Sequence, residues 1–178
     1  ACARILASAA RRLQAAEADC VMICTNTMHK VADEVESATR LPLLHIADAT
    51  AEQILAKGFK KVGLLGTGFT MSQDFYKGRL QDKFGIEVLT PTAEDQQIVH
   101  EVIYGQLCLG NIVDDSRREY LRIMDALAAQ GAEAVILGCT EITLLVDGSH
   151  TEIPLLDTTA IHAQAAVDFA LDRAHEKH

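Results

Sequence analysis

A chain of 178 residues, 49% hydrophobic and 23% charged, is long enough to bury a core as one domain or two small ones. Its net charge of −9 argues against a nucleic-acid or anionic-membrane surface, and no apolar run approaches the roughly 20 residues needed to cross a bilayer. The five cysteines, Cys2, Cys20, Cys24, Cys108 and Cys139, form no CxxC pair and no His/Cys cluster of zinc spacing, so no metal is expected and reduced thiols in a cytoplasmic protein are the simplest account.

In chain order, residues 3–18 carry Ile5, Leu6, Ala9, Leu13 and Ala16 at helical spacing. An α/β chain that opens on a helix predicts an upstream segment. Short apolar runs ending in small or polar residues predict strands at 20–24, 43–46, 62–66, 86–89, 135–138 and 154–156. Between them, helices are predicted from Ala51 to Lys57, Met71 to Phe84, Glu94 to Leu109 and Asp115 to Gln130. Each stops at a glycine, namely Gly58, Gly85, Gly110 and Gly131. Asp115 or Ser116 is the expected N-cap of the fourth. A last helix runs from about Thr159. Strand alternating with helix predicts an α/β fold with mainly parallel sheets and helices on both faces. No Pro/Ser-rich linker divides it.

One unit occurs twice. Ala18-Asp19-Cys20-Val21-Met22-Ile23-Cys24-Thr25-Asn26 matches Ala132-Glu133-Ala134-Val135-Ile136-Leu137-Gly138-Cys139-Thr140 without a gap. A second echo follows each, Leu41-Pro42-Leu43-Leu44-His45 and Ile153-Pro154-Leu155-Leu156-Asp157. Val21 and Val135 lie 114 residues apart, Pro42 and Pro154 112. A repeated strand–loop–strand unit predicts two similar lobes with a cleft between them. In that register Cys139 pairs with Thr25, not with Cys24.

Ligands of open α/β sheets bind beyond the C-terminal strand ends, which selects Thr25-Asn26-Thr27, His45 to Asp48, Gly66 to Thr70, Cys139-Thr140-Glu141 and Asp157 to Thr159. Cys139 follows Gly138, which permits close backbone approach, and backbone N–H groups beyond it would favour a thiolate. The plainer alternative is a small apolar residue ending a strand. Asn26 and Thr27 offer donors suited to a carboxylate, or else form a turn that caps the next helix. His29 reads as an exposed or helix-capping histidine. Regular β alternation would keep Cys24 and Thr25 from facing one cleft, which makes Cys24 a decoy. Gly66-Thr67-Gly68 follows a strand as a dinucleotide loop would, with Glu87 about 20 residues on. The third glycine position is Met71, so a tight turn is the better reading.

Four motifs in order carry a resemblance that spans nearly the whole chain: Asn26-Thr27-Met28-His29, Leu65-Gly66-Thr67-Gly68-Phe69-Thr70, Gly138-Cys139-Thr140-Glu141, and Ile153 to Ala160. The chain resembles the cofactor-independent aspartate/glutamate racemases, and within them the bacterial enzymes selective for aspartate and glutamate. The resemblance implies two pseudo-symmetric Rossmann-like lobes, with the active site between them. On it, residues 1–45 and 157–178 form the first lobe, less its N-terminal strand and helix, and 46–156 the second. It implies an acidic amino acid as substrate, no pyridoxal phosphate or other cofactor, no nucleic-acid or membrane partner, and a homodimer.

Family members place one cysteine in each lobe, one removing the α-proton and the other returning a proton on the opposite face. Here Thr25 stands where the first cysteine is expected. A threonine hydroxyl is a poor base, so the resemblance implies abstraction by Cys139 and proton donation or relay by Thr25, with a bias to the L-isomer as substrate. Asn26, Thr27, Thr67, Thr70 and Thr140 would hold the substrate, with His29 and Glu141 behind them. Two further departures are the missing G-G-x-S loop and the missing lysine in Gln106 to Gly110, which leaves the partner of the distal carboxylate open. A single-thiol lyase like the arylmalonate decarboxylases and a non-catalytic binder of acidic amino acids are the alternatives.

Overall fold

The computed structural model describes the backbone of residues 1–176 and the side chains of residues 1–172. Its elements are α1 (Cys2–Ala15), β1 (Val21–Met22), α2 (Ala32–Glu36), β2 (Leu43–Leu44), α3 (Ile46–Ala56), β3 (Lys61–Gly66), α4 (Gly68–Ser72), α5 (Asp74–Phe84), β4 (Glu87–Leu89), α6 (Ala93–Gly105), α7 (Asp114–Ala129), β5 (Ala134–Gly138), β6 (Leu155–Asp157) and α8 (Thr158–Glu176). Single 3-10 turns lie at 27–31, 107–109 and 142–144. The strands form two parallel sheets, β1-β2 and β4-β3-β5-β6. All six predicted strands are present, and the α/β class follows from their alternation with helices.

The larger sheet is buried on both faces, as βαβ crossovers require. On one face Leu65, Val135 and Leu137 pack against Val99, Val102 and Ile103 of α6 and Tyr120, Ile123, Met124 and Leu127 of α7. On the other, Val62, Leu64, Ala134, Ile136 and Leu156 meet Ile46, Ala51 and Ile54 of α3 and Tyr76 and Leu80 of α5. Successive residues alternate between these clusters, the period-2 signature of a strand. The smaller sheet has its own cluster, in which Val21 and Ile23 join Ala10 of α1 and Val35 of α2.

The internal repeat holds at the level of single hydrogen bonds. Val21 pairs with Leu43 and its amide donates to the Pro42 carbonyl at 2.9 Å. Val135 pairs with Leu155 and donates to the Pro154 carbonyl, also at 2.9 Å. The residue ending each second echo then caps the following helix. His45 Nδ1 accepts from the amide of Ala47 at 3.1 Å, and Asp157 Oδ1 accepts from that of Thr159 at 2.9 Å.

Three predicted elements differ in detail. The α7 helix starts at Asp114 after Val113 and has no side-chain cap, so neither Asp115 nor Ser116 is its N-cap. The Ser116 hydroxyl instead donates to Gln106 Oε1 at 2.7 Å, tying α7 to the end of α6. The helix predicted from Met71 is two helices, broken at Gln73, whose backbone is extended. Here Thr67 caps α4 and Ser72 donates back to the Gly68 carbonyl at 2.6 Å, a local bond that competes with helix continuation. The α3 helix starts at Ile46, because two histidines satisfy its first amides: His45 takes that of Ala47, and His29 Nε2 takes that of Ile46 at 3.2 Å.

Two glycines set the site. Gly66 and Gly138 are paired at the ends of β3 and β5. A Cβ on Gly66 would lie 2.9 Å from the Gly138 carbonyl oxygen, and one on Gly138 would lie 2.8 Å from that of Leu65. Their missing side chains also let Thr70 sit against the strand ends.

Candidate active site

Beyond β1, β3 and β5 lies a cavity of about 360 Å³. Its walls are Cys24 to Met28, Thr67, the segment Gly138 to Glu141, and Ile103 and Tyr104 from α6. Thr25, Asn26, Thr27, Thr67, Cys139, Thr140 and Glu141 thus line one space, with Thr70 hydrogen-bonded to that wall. His29 stands behind it.

The first wall breaks the alternation argument. The amide of Thr25 donates to the Ile23 carbonyl at 2.8 Å, a γ-type turn that ends β geometry at Met22. Cys24 and Thr25 therefore line the same cavity. Position alone does not make Cys24 a decoy.

Asn26 is only 3% exposed, and it does not cap the turn that follows. Its Nδ2 donates to Thr158 Oγ1 at 3.1 Å, joining the two repeat copies. The Thr158 hydroxyl donates its only hydrogen to the Leu137 carbonyl at 2.8 Å, so its oxygen can only accept from Asn26. That fixes the amide orientation. Asn26 Oδ1 is left buried with no protein partner on a cavity-lining residue. A buried acceptor without a partner is costly, and a ligand N–H donor would satisfy it.

Three hydroxyls meet at the Thr27 and Thr67 wall of the cavity. Thr27 Oγ1 lies 3.2 Å from Thr67 Oγ1 and 3.4 Å from Thr70 Oγ1, and the last two are 3.2 Å apart. Thr27 and Thr67 line the cavity and can turn their hydrogens toward an anion, while Thr70 is fully buried behind them. His29 is buried, not exposed. Because Nε2 accepts from Ile46, the proton sits on Nδ1, which donates to the Thr25 carbonyl at 2.8 Å. Burial holds its pKa down to about 4 against that bond, so this clamp is neutral.

In the second copy, Cys139 Sγ donates to Glu141 Oε2 at 2.9 Å, and Thr140 Oγ1 donates to the same oxygen at 2.7 Å. The Thr140 hydroxyl hydrogen is therefore committed to Glu141. Burial, then the neighbouring carboxylate, pushes the Cys139 thiol up to about 12. The backbone bond that favours the anion is outweighed, so the surroundings favour the thiol. Burial disfavours the Glu141 carboxylate, but the Cys139 and Thr140 hydrogen bonds hold its pKa below the usual value.

Tyr104 and Ile103 were not among the sequence candidates, and Cys24 was set aside there as a decoy. Tyr104 and Ile103 sit in the last turn of α6, where an apolar helical pattern hides a cavity wall. Thr158 was legible only as a residue beyond a strand end. Among the described residues no group of three or more His, Cys, Asp or Glu could hold a metal ion. No helix among them is long and apolar enough to cross a membrane.

Comparison with known proteins places this arrangement. The Asp/Glu/Hydantoin racemase family model matches residues 1–166. The broad specificity amino-acid racemase RacX of Bacillus subtilis is 27% identical over 88% of this chain and 66% of its own length. A Yersinia pestis structure assigned to the Asp/Glu racemases is 56% identical, with a TM-score of 0.91 over 95% of this chain and 74% of that one. An aspartate racemase homologue from Pyrococcus horikoshii is 34% identical, with a TM-score of 0.86 over 94% and 74%. The chain spans about two thirds of the Bacillus relative. It belongs to the Asp/Glu/hydantoin racemase family.

Proposed function

We propose that the protein is a cofactor-independent amino-acid racemase that interconverts L- and D-aspartate or glutamate, biased to the L-isomer as substrate. One observation carries this reading: Cys139 and Thr25, equivalent in the repeat, line the same small cavity. The carboxylate beside the carbon to be deprotonated would be held by the Thr27 and Thr67 hydroxyls, with Thr70 hydrogen-bonded behind them. The α-ammonium would give Asn26 Oδ1 its missing donor.

The Cys139 thiolate takes the α-proton. The Cα–H electron pair passes into the adjacent carboxylate system, where preorganised donors stabilise the developing charge. Thr25, or a water it holds, delivers a proton to the opposite face and is reprotonated from solvent. The Cys139 thiol must first lose its proton to solvent, and the Glu141 carboxylate, hydrogen-bonded to Sγ at 2.9 Å, holds that proton in place until substrate enters. The substrate's positive charge at Asn26 favours that ionisation. Reduced thiols such as that of Cys139 fit the proposed cytoplasmic setting.

The test follows formation of D-aspartate from L-aspartate by chiral chromatography. Conversion by the parent chain, and its loss by about a thousandfold or more in Cys139→Ala, is the expected result. Aspartate that binds but is never converted would favour a non-catalytic binder. Carbon dioxide release from an arylmalonate without racemisation would favour a lyase.

A further inference from the structure

Outside the residues already given roles, α6 holds a histidine that touches two cavity walls. His100 Nδ1 accepts from the amide of Gly68 at 3.0 Å. That amide opens α4 and has no partner within its own helix. Gly68 follows Thr67, which lines the cavity and accepts the Thr70 amide at 3.4 Å. The His100 ring also lies 4.9 Å from the Tyr104 ring, another cavity-lining side chain, and 6.4 Å from Phe69. The fit is close, since a Cβ on Gly68 would come within 3.2 Å of Nδ1.

We propose that His100 is a positioning residue: its Nδ1 holds the Thr67–Thr70 turn so that the Thr67 hydroxyl, backed by Thr70, faces the substrate carboxylate. The bond needs an unprotonated Nδ1, so the ring acts as an acceptor and not merely as packing. No sequence motif marks it, because its partner is a backbone amide 32 residues away. The inference builds on the racemase reading, but its geometric half stands without it.

The test separates the acceptor from the ring. His100→Phe keeps an aromatic ring against Tyr104 and Phe69 but removes the acceptor. His100→Asn places Oδ1 where Nδ1 stands. In His100→Phe, the Gly68 amide should exchange with solvent about tenfold faster. KM for L-aspartate should rise by about tenfold, with kcat changing less, because ground-state carboxylate contacts are lost. His100→Asn should recover most of both. Unchanged Gly68 exchange in His100→Phe would overturn the proposal. So would His100→Asn as impaired as His100→Phe at matched melting temperature. If the parent chain converts no aspartate, the racemase reading falls, while Gly68 exchange in the two variants still decides the role of His100.

Discussion

At the scale of single residues, the proposed chemistry turns on the protonation of Cys139. A thiol at rest, raised by burial and by Glu141, is a weak acid, and it can take a proton only once ionised. Catalytic strength then depends on how often the thiolate forms. Because kcat/KM reports the free enzyme, its value for L-aspartate should climb with pH, by about tenfold per unit across roughly pH 7 to 9. The sign follows from the base form being the reactive one. A plateau reached below pH 8 would mean that the thiol ionises far more easily than its surroundings imply. Asn26 makes the complementary point. The motif marks it as a substrate donor, and the Thr158 bond adds an unpartnered acceptor, Oδ1, beside the second Nδ2 hydrogen. Only the fold could reveal that, because the deciding partner is 132 residues away.

At the scale of elements, three histidines join α3, α8 and the Thr25 turn. The rings of His29 and His45 lie 4.3 Å apart and those of His29 and His162 5.9 Å apart. His162 Nε2 donates to the Leu44 carbonyl at 2.7 Å. Burial lowers all three pKa values, to about 4 for His29 and about 3 for His45. The unfolded chain therefore binds protons that the native state refuses. Stability is full above the unfolded value near 6.5 and is lost as pH falls toward 4 and 3. Asp48, held near 2 by Arg79 and Lys83 against its own burial, titrates later. Thermal melts between pH 7 and 4 should show a falling melting temperature, and His162→Asn should flatten the slope. A melting temperature constant over that range would show that these rings are protonated without cost. The strands, the helix stops and the α/β class were legible because apolar runs and glycines mark them locally. The start of α3 was not, because histidine is an uncommon cap and one of its two capping rings lies 17 residues upstream.

At the scale of the whole molecule, the duplicated unit builds two strand ends that face one cavity but carry different chemistry. The register of the repeat was visible in the sequence, and the matched bonds of Val21 and Val135 reproduce it. The pairing of Thr25 with Cys139 was visible for the same reason. The shared position of Cys24 and Thr25 was not, because the turn at Ile23 cancels the alternation that a strand would impose. The central claim is that the two copies divide the labour, Cys139 taking the proton and Thr25 serving the other face. Deuterium wash-in at Cα of L-aspartate in D2O, followed by NMR, tests this most directly. The account predicts that Thr25→Ala retains wash-in while losing D-aspartate formation, and that Cys139→Ala loses both. Equal loss of wash-in in the two variants would contradict it.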